Sequence, residues 1–293
     1  MTAVTVHRFW ASIACAVGFA AGIAVHAQTP ADVQPVRKVM TFNGVEREYF
    51  IRAPARLDPQ RTYWLVAAAH GAGGNGRTFF LASGLRRYAD EIGLDAIIVS
   101  PTFSAADGAA QQFPSLGEGA FLDAIVVEVR REYTVYPRFL MAGYSRGGQF
   151  AHRYCQNHPD RVAACAPMAA GTWTTPDGSL LVQGSGELAS PEAAQEKAAE
   201  SLVAEALSPR IAPVAWKRAA PGAQTVPFLV MTGTLDPRYA VGQLFADKLK
   251  SAGFRVEVSW PVTNHTSNEA TRTEFERYAR EAAAFFAKVA GRR

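Results

Sequence analysis

The chain has 293 residues, 48% of them hydrophobic, which suits one large α/β domain or two small ones with a sizeable core. Its net charge of +4 is spread along the chain without a dense Lys/Arg block, so nothing in the composition marks a nucleic-acid binder. The basic residues read as a solvated surface.

Residues 1–27 read as a secretory signal. His7 and Arg8 precede an uncharged apolar run over 9–25, and Val25-His26-Ala27 puts small residues where a signal peptidase cuts, before Gln28. An uncleaved anchor is the rival reading, but the run is short for a span and Gly18 and Gly22 interrupt it. The expectation is a periplasmic or secreted protein with no membrane attachment after cleavage, and a single domain over 28–293. Of three cysteines, Cys15 leaves with the signal. Cys155 and Cys165 then stand in oxidising surroundings, as either a disulfide or two buried thiols. No residues have metal-ligand spacing, and no cofactor is expected.

Val36–Phe42 and Val45–Arg52 alternate apolar and polar residues about Asn43-Gly44, a hairpin signal. The run 63–69 is continuously apolar, as in a strand buried on both faces. It ends in a glycine-rich loop, His70 to Gly76, whose backbone N–H groups can approach a ligand; without Gly-Lys-Ser/Thr or G-x-G-x-x-G it is no nucleotide loop. One helix is expected over 78–92, ended by Gly93, and a buried strand over 96–100. Residues 102–118 read as a long loop over the strand ends. Phe121, Leu122, Ile125, Val126 and Val129 mark a helix face.

An apolar run then ends in Gly143-Tyr144-Ser145-Arg146-Gly147-Gly148, followed by a helix over 146–157. This is G-x-S-x-G between a strand and a helix, the context of a nucleophile elbow. Val162–Met168 is the next buried strand. Residues 171–225 break the rhythm. An Ala- and Glu-rich helix is expected from Ser190-Pro191 to about 206, and the segment reads as an insertion roofing one end of the sheet, or as a surface excursion. A strand over 226–232, a helix over 239–252, a strand over 255–260 and a final helix carrying Phe275, Tyr278, Ala282, Phe285 and Val289 complete the chain. The alternation implies a mostly parallel sheet with helices on both faces.

Loops after the carboxyl ends of such strands gather on one edge. Ser145, Asp236, His265 and the His70 loop all fall there. A serine needs a base to take its proton, an imidazole can take and return it, and a carboxylate orients that ring. His265 alone follows a late strand and completes the chain order serine, acid, histidine. His152 and His158 lie on or after the helix behind Ser145, and His70 is expected to shape its loop. Asp236 stands at a strand end between Gly233 and Pro237, where the competing reading is a turn-forming aspartate. The N–H of Arg146 and that of Ala72, or else Gly73, are the expected oxyanion donors. Tyr144, Phe103 and Trp173 are assigned to a substrate pocket from their positions near strand ends. The side chains of Arg146 and Arg238 read as solvated surface, the alternative being attraction of an acidic substrate group.

His70-Gly-x-Gly-Gly, Gly143-x-Ser145-x-Gly147-Gly148, Asp236 and His265 together resemble the α/β-hydrolase superfamily. The stretch 142–171, with His158-Pro159-Asp160-Arg161 and Ala166-Pro167-Met168-Ala169-Ala170-Gly171, is similar to secreted esterases of the polyhydroxyalkanoate depolymerase and feruloyl/acetylxylan esterase group. The resemblance implies a central sheet of about eight strands and cofactor-free hydrolysis of a small or polymeric ester. It departs from that group in having Arg146 after the nucleophile and Pro101-Thr102-Phe103 after the strand ending at Ser100. A peptidase, an acyltransferase and a non-catalytic binder on the same fold are the alternatives.

Overall fold

The computed structural model describes residues 34–54, 56–184, 186–188, 210, 214, 216–265 and 272–291. The expected signal over 1–27 and the helix expected from Ser190 lie outside them.

The hairpin forms as read. Strands β1 (Val36–Phe42) and β2 (Val45–Arg52) pair antiparallel, with Asn43 and Gly44 both at positive φ in the turn. The buried runs become β3 (Trp64–Ala69), β4 (Ala96–Pro101), β5 (Phe139–Tyr144), β6 (Val162–Met168) and, later, β10 (Phe228–Met231). The last strand, β11 (Val256–Ser259), lies at the sheet edge and is only partly covered. The eight strands take the order β1-β2-β4-β3-β5-β6-β10-β11. The hairpin runs antiparallel to β4, and the other neighbours are parallel.

Both faces of the sheet are covered. On one lie α4 (Glu118–Glu132), α5 (Arg146–Asn157) and α6 (Tyr239–Ser251), whose Phe121, Phe150 and Phe245 join Leu65, Val99 and Phe228 of the strands in one apolar cluster. On the other lie α1 (Gly76–Ser83), α2 (Leu85–Glu91) and α7 (Arg272–Ala290), with Phe80, Tyr88 and Phe286 against Val66, Ile98 and Leu140. A parallel strand therefore turns alternate residues into two cores, which is why its sequence reads as an unbroken apolar run.

Three expectations change. The single helix over 78–92 is two, because Gly84 adopts the left-handed conformation at φ 63 and turns the chain. The loop over 102–118 contains a short helix, α3 (Gly108–Gln112), capped by the Asp107 carboxylate on Ala110 N–H, and a 3-10 turn over Pro114–Leu116. Within 171–225 the chain forms a small antiparallel sheet of β7 (Thr172–Thr174), β8 (Leu180–Val182) and β9 (Gly186–Leu188).

Candidate active site

β5 delivers Ser145 at the carboxyl edge of the sheet, and α5 leaves at once. The turn needs glycine on both sides of the serine. A Cβ on Gly143 would stand 2.1 Å from Gly147 O, and one on Gly147 would stand 2.1 Å from Ala69 O. Ser145 itself sits at φ 54, ψ −116, an unfavourable conformation for a residue with a side chain, worth about 1–3 kcal/mol of stored strain. Its N–H donates to Met168 O at 2.8 Å, which fixes the turn against β6.

The acid and the histidine come from the loops after β10 and β11. These loops are tied by Thr234 N–H to Pro261 O at 2.9 Å and Leu235 N–H to Thr263 O at 3.0 Å. The result is a continuous chain of hydrogen bonds. Ser145 Oγ lies 3.1 Å from His265 Nε2, and His265 Nδ1 lies 2.7 Å from Asp236 Oδ2. A carboxylate only accepts, so Nδ1 carries the proton and Nε2 is left to accept from the serine hydroxyl. Asp236 is 3% exposed. Burial alone would raise its pKa. Hydrogen bonds from His265 and the Arg238 N–H, with the charge of Arg238, outweigh that and hold it below the usual carboxylate value.

The glycine-rich loop lies against Ser145: a Cβ on Gly71 would stand 3.4 Å from Ser145 Cβ. Ala72 and Gly73 follow it as exposed residues. Arg146 N–H heads α5, where no intrahelical acceptor exists for it. His70 shapes the loop. Its Nδ1–H donates to Gly71 O at 2.8 Å and its Nε2 accepts Phe103 N–H at 3.0 Å. Burial lowers its pKa, so it stays neutral in this role. Gln111 adds a bond from Nε2 to His70 O at 2.9 Å. Sequence reasoning missed Gln111, since a five-residue helix has no readable periodicity.

Two of the three aromatic residues assigned to a substrate pocket sit elsewhere. Trp173 is fully buried, stacked on Phe245 at 4.4 Å and packed on His152. Phe103 is 1% exposed and packs on Phe150 at 4.5 Å. Both belong to the core under the site. Tyr144 stacks on the His265 ring at 5.3 Å and 13°, and its hydroxyl donates to His265 O at 3.3 Å; it is a platform for the histidine. His152, behind the elbow, is fully buried between Gly148 O and Thr174 N–H. Cys155 and Cys165 are both buried, Cys165 Sγ lying 3.5 Å from Ala151 O.

Sequence reasoning also missed Arg153. It is buried, lies 4.0 Å over the Phe113 ring and donates to Thr172 and Thr174 hydroxyls and to Gln112 and Gln149 carbonyls. It thereby clamps α5 to β7 and to the end of α3. Among the described residues no group of His, Cys, Asp and Glu could hold a metal ion.

No protein-family model matches this chain, and no curated protein matches it in sequence. Many solved structures match it in fold. An S-formylglutathione hydrolase from Agrobacterium tumefaciens superposes at TM-score 0.61 with 13% identity, over 86% of this chain and 94% of the other. A ferulic acid esterase gives 0.60 at 17% identity, over 85% and 97%. Poly(aspartic acid) hydrolase-1 from Sphingomonas sp. KT-1 gives 0.58 at 19% identity, over 85% and 98%. The architecture is the α/β-hydrolase fold, a mostly parallel eight-stranded sheet with helices on both faces.

Proposed function

We propose that this chain is an exported serine hydrolase of carboxylic esters. The observation that carries the reading is the hydrogen-bonded line from Ser145 Oγ through the His265 imidazole to the buried Asp236 carboxylate, with the serine held in a strained turn at a strand end. Solved structures of similar fold that are named as esterases and hydrolases support it.

Ser145 Oγ attacks the ester carbonyl as His265 Nε2 takes its proton. The carbonyl oxygen becomes an oxyanion, held by the N–H groups of Arg146 and Ala72 and favoured by the positive end of α5. Asp236 stabilises the imidazolium without taking its proton. The imidazolium gives its proton to the departing alkoxide, leaving an acyl-serine. Water then attacks the acyl carbon while His265 removes a proton from it. The second tetrahedral intermediate collapses, releasing the acid and returning the proton to Ser145. No cofactor enters any step.

The reading is tested with a panel of nitrophenyl, acetyl and hydroxycinnamoyl esters, using protein that begins at Gln28 and its Ser145→Ala variant. Turnover by the parent, reduced about ten-thousand-fold or more in the variant, supports it. No turnover of any ester by folded parent would favour a non-catalytic binding protein.

A further inference from the structure

Arg146 directly follows Ser145 in the chain and Arg238 comes two residues after Asp236, and the surroundings of both side chains differ from the solvated surface expected of them. Arg146 is half-buried, with Nη1 3.0 Å from the point where a Cβ on Gly108 would stand. Among the described residues no carboxylate accepts from it. Asp107, next to Gly108, is already committed to Arg210 at 2.6 Å and to the Ala110 N–H at 2.9 Å.

Arg238 comes two residues after Asp236. Asp236 Oδ1 takes the Arg238 main-chain N–H at 2.9 Å but its Nη1 at only 3.5 Å, and Oδ2 is occupied by His265. Arg238 Nε is buried with no acceptor among the described residues. It stands 3.3 Å, and Gln149 Nε2 3.1 Å, from the place where a Cβ on Gly171 would be. The Gln149 amide is oriented by Thr172 Oγ1, which donates to its Oε1 at 2.9 Å, so Nε2 is the end turned to Gly171. Both nitrogens thus pack closely against Gly171, where a side chain would crowd them.

Among the described residues Asp236 is the carboxylate hydrogen-bonded into the line with His265 and Ser145, while Arg146 has no carboxylate partner and Arg238 reaches Asp236 Oδ1 only at 3.5 Å. A neutral ester makes no use of that positive charge. An anion does: guanidinium–carboxylate bonds are about twice as strong as neutral ones, and local positive charge also concentrates anions from solution. We infer that the ester taken by the Ser145 site carries a carboxylate near the scissile group, held between Arg146 and the Arg238–Gln149 donors. This rests on the esterase reading and adds the charge of its substrate.

The test compares isosteric pairs in which a carboxylate replaces a terminal methyl group. Monomethyl adipate is set against methyl hexanoate, and γ-acetoxybutyrate against butyl acetate, with acid release followed in a pH-stat. The parent should favour the anionic member of at least one pair by roughly tenfold in kcat/KM at low ionic strength, with the ratio shrinking as salt rises. Arg146→Gln and Arg238→Gln should each cut that ratio several-fold, mainly through KM, and Arg146→Lys should restore part of it. The ratio is read within each variant, so a general loss of rate does not mimic the effect. Equal or better turnover of the neutral esters, absent in Ser145→Ala, overturns the inference and leaves the esterase reading standing. A preference for the anion that both glutamine variants retain overturns it too. Turnover of no ester removes the esterase reading and this inference together.

Discussion

Gly147→Ala is a one-carbon perturbation whose consequence can be worked from the backbone alone. The new Cβ would stand 2.1 Å from Ala69 O, 2.5 Å from Ala69 C and 2.6 Å from His70 O. All three are main-chain atoms at the buried end of β3, a strand hydrogen-bonded on both sides. No rotamer change relieves the contact. Either α5 or the end of β3 must shift by more than about 1 Å to reach ordinary van der Waals distance. Overpacking of this kind costs about 1–3 kcal/mol, and the rigidity of the strand puts this case at the upper end, roughly 3 kcal/mol. For a domain of this size that lowers Tm by roughly 10 °C. The displaced parts are those that carry Ser145 and the Gly71 loop, and a misplacement of about 1 Å costs on the order of a hundredfold in rate. Gly253→Ala is the control. Gly253 has φ +84 but no atom within 4 Å of its Cβ position, so alanine there adds only left-handed strain, costing about 1 kcal/mol of stability, and turnover is unchanged. The assay is a thermal melt beside ester hydrolysis for both variants. A Gly147→Ala protein with parental Tm and parental kcat/KM would refute the close-approach argument for the elbow.

Asp236→Asn keeps the shape but removes the charge behind His265; kcat should fall about ten-thousand-fold with an unchanged circular dichroism spectrum, as steady-state kinetics will show. Burial holds His70, His152 and His158 below their ordinary pKa, so the unfolded chain binds their protons first. Stability should therefore decline as pH falls below about 6.5, by at most about 1.4 kcal/mol per pH unit for each histidine, and denaturant titrations should show a shallower slope in His152→Gln. Arg153→Met removes the donor to two hydroxyls and two buried carbonyls, and should cost about 2–4 kcal/mol in a urea titration.

The parallel strands were legible because burial on both faces leaves no polar position to interrupt an apolar run, as in residues 64–69 and 139–144. The candidate site was legible because its chemistry needs particular residues at strand ends, and Ser145, Asp236 and His265 were the ones in chain order. What escaped has physical reasons. Gly84 sits inside an otherwise helical pattern, and only its backbone angle shows that the helix turns there. Strands of three residues, such as Thr172–Thr174, are too short to display alternation. Phe103 and Trp173 were placed by position along the chain, which gives the strand end but not the direction of a side chain; both point into the core. Arg153 could not be found at all, because nothing local marks an arginine whose acceptors come from residues 112, 149, 172 and 174.

The central claim is that Ser145 is a nucleophile activated by His265. It is tested most directly by exposing the folded protein to a fluorophosphonate and finding the modified residue by peptide mass spectrometry. The account predicts one adduct, on Ser145, formed quickly in the parent, absent in Ser145→Ala and slowed at least about a thousandfold in His265→Ala. An unmodified Ser145 in folded protein, or labelling that proceeds as fast without His265, would contradict it.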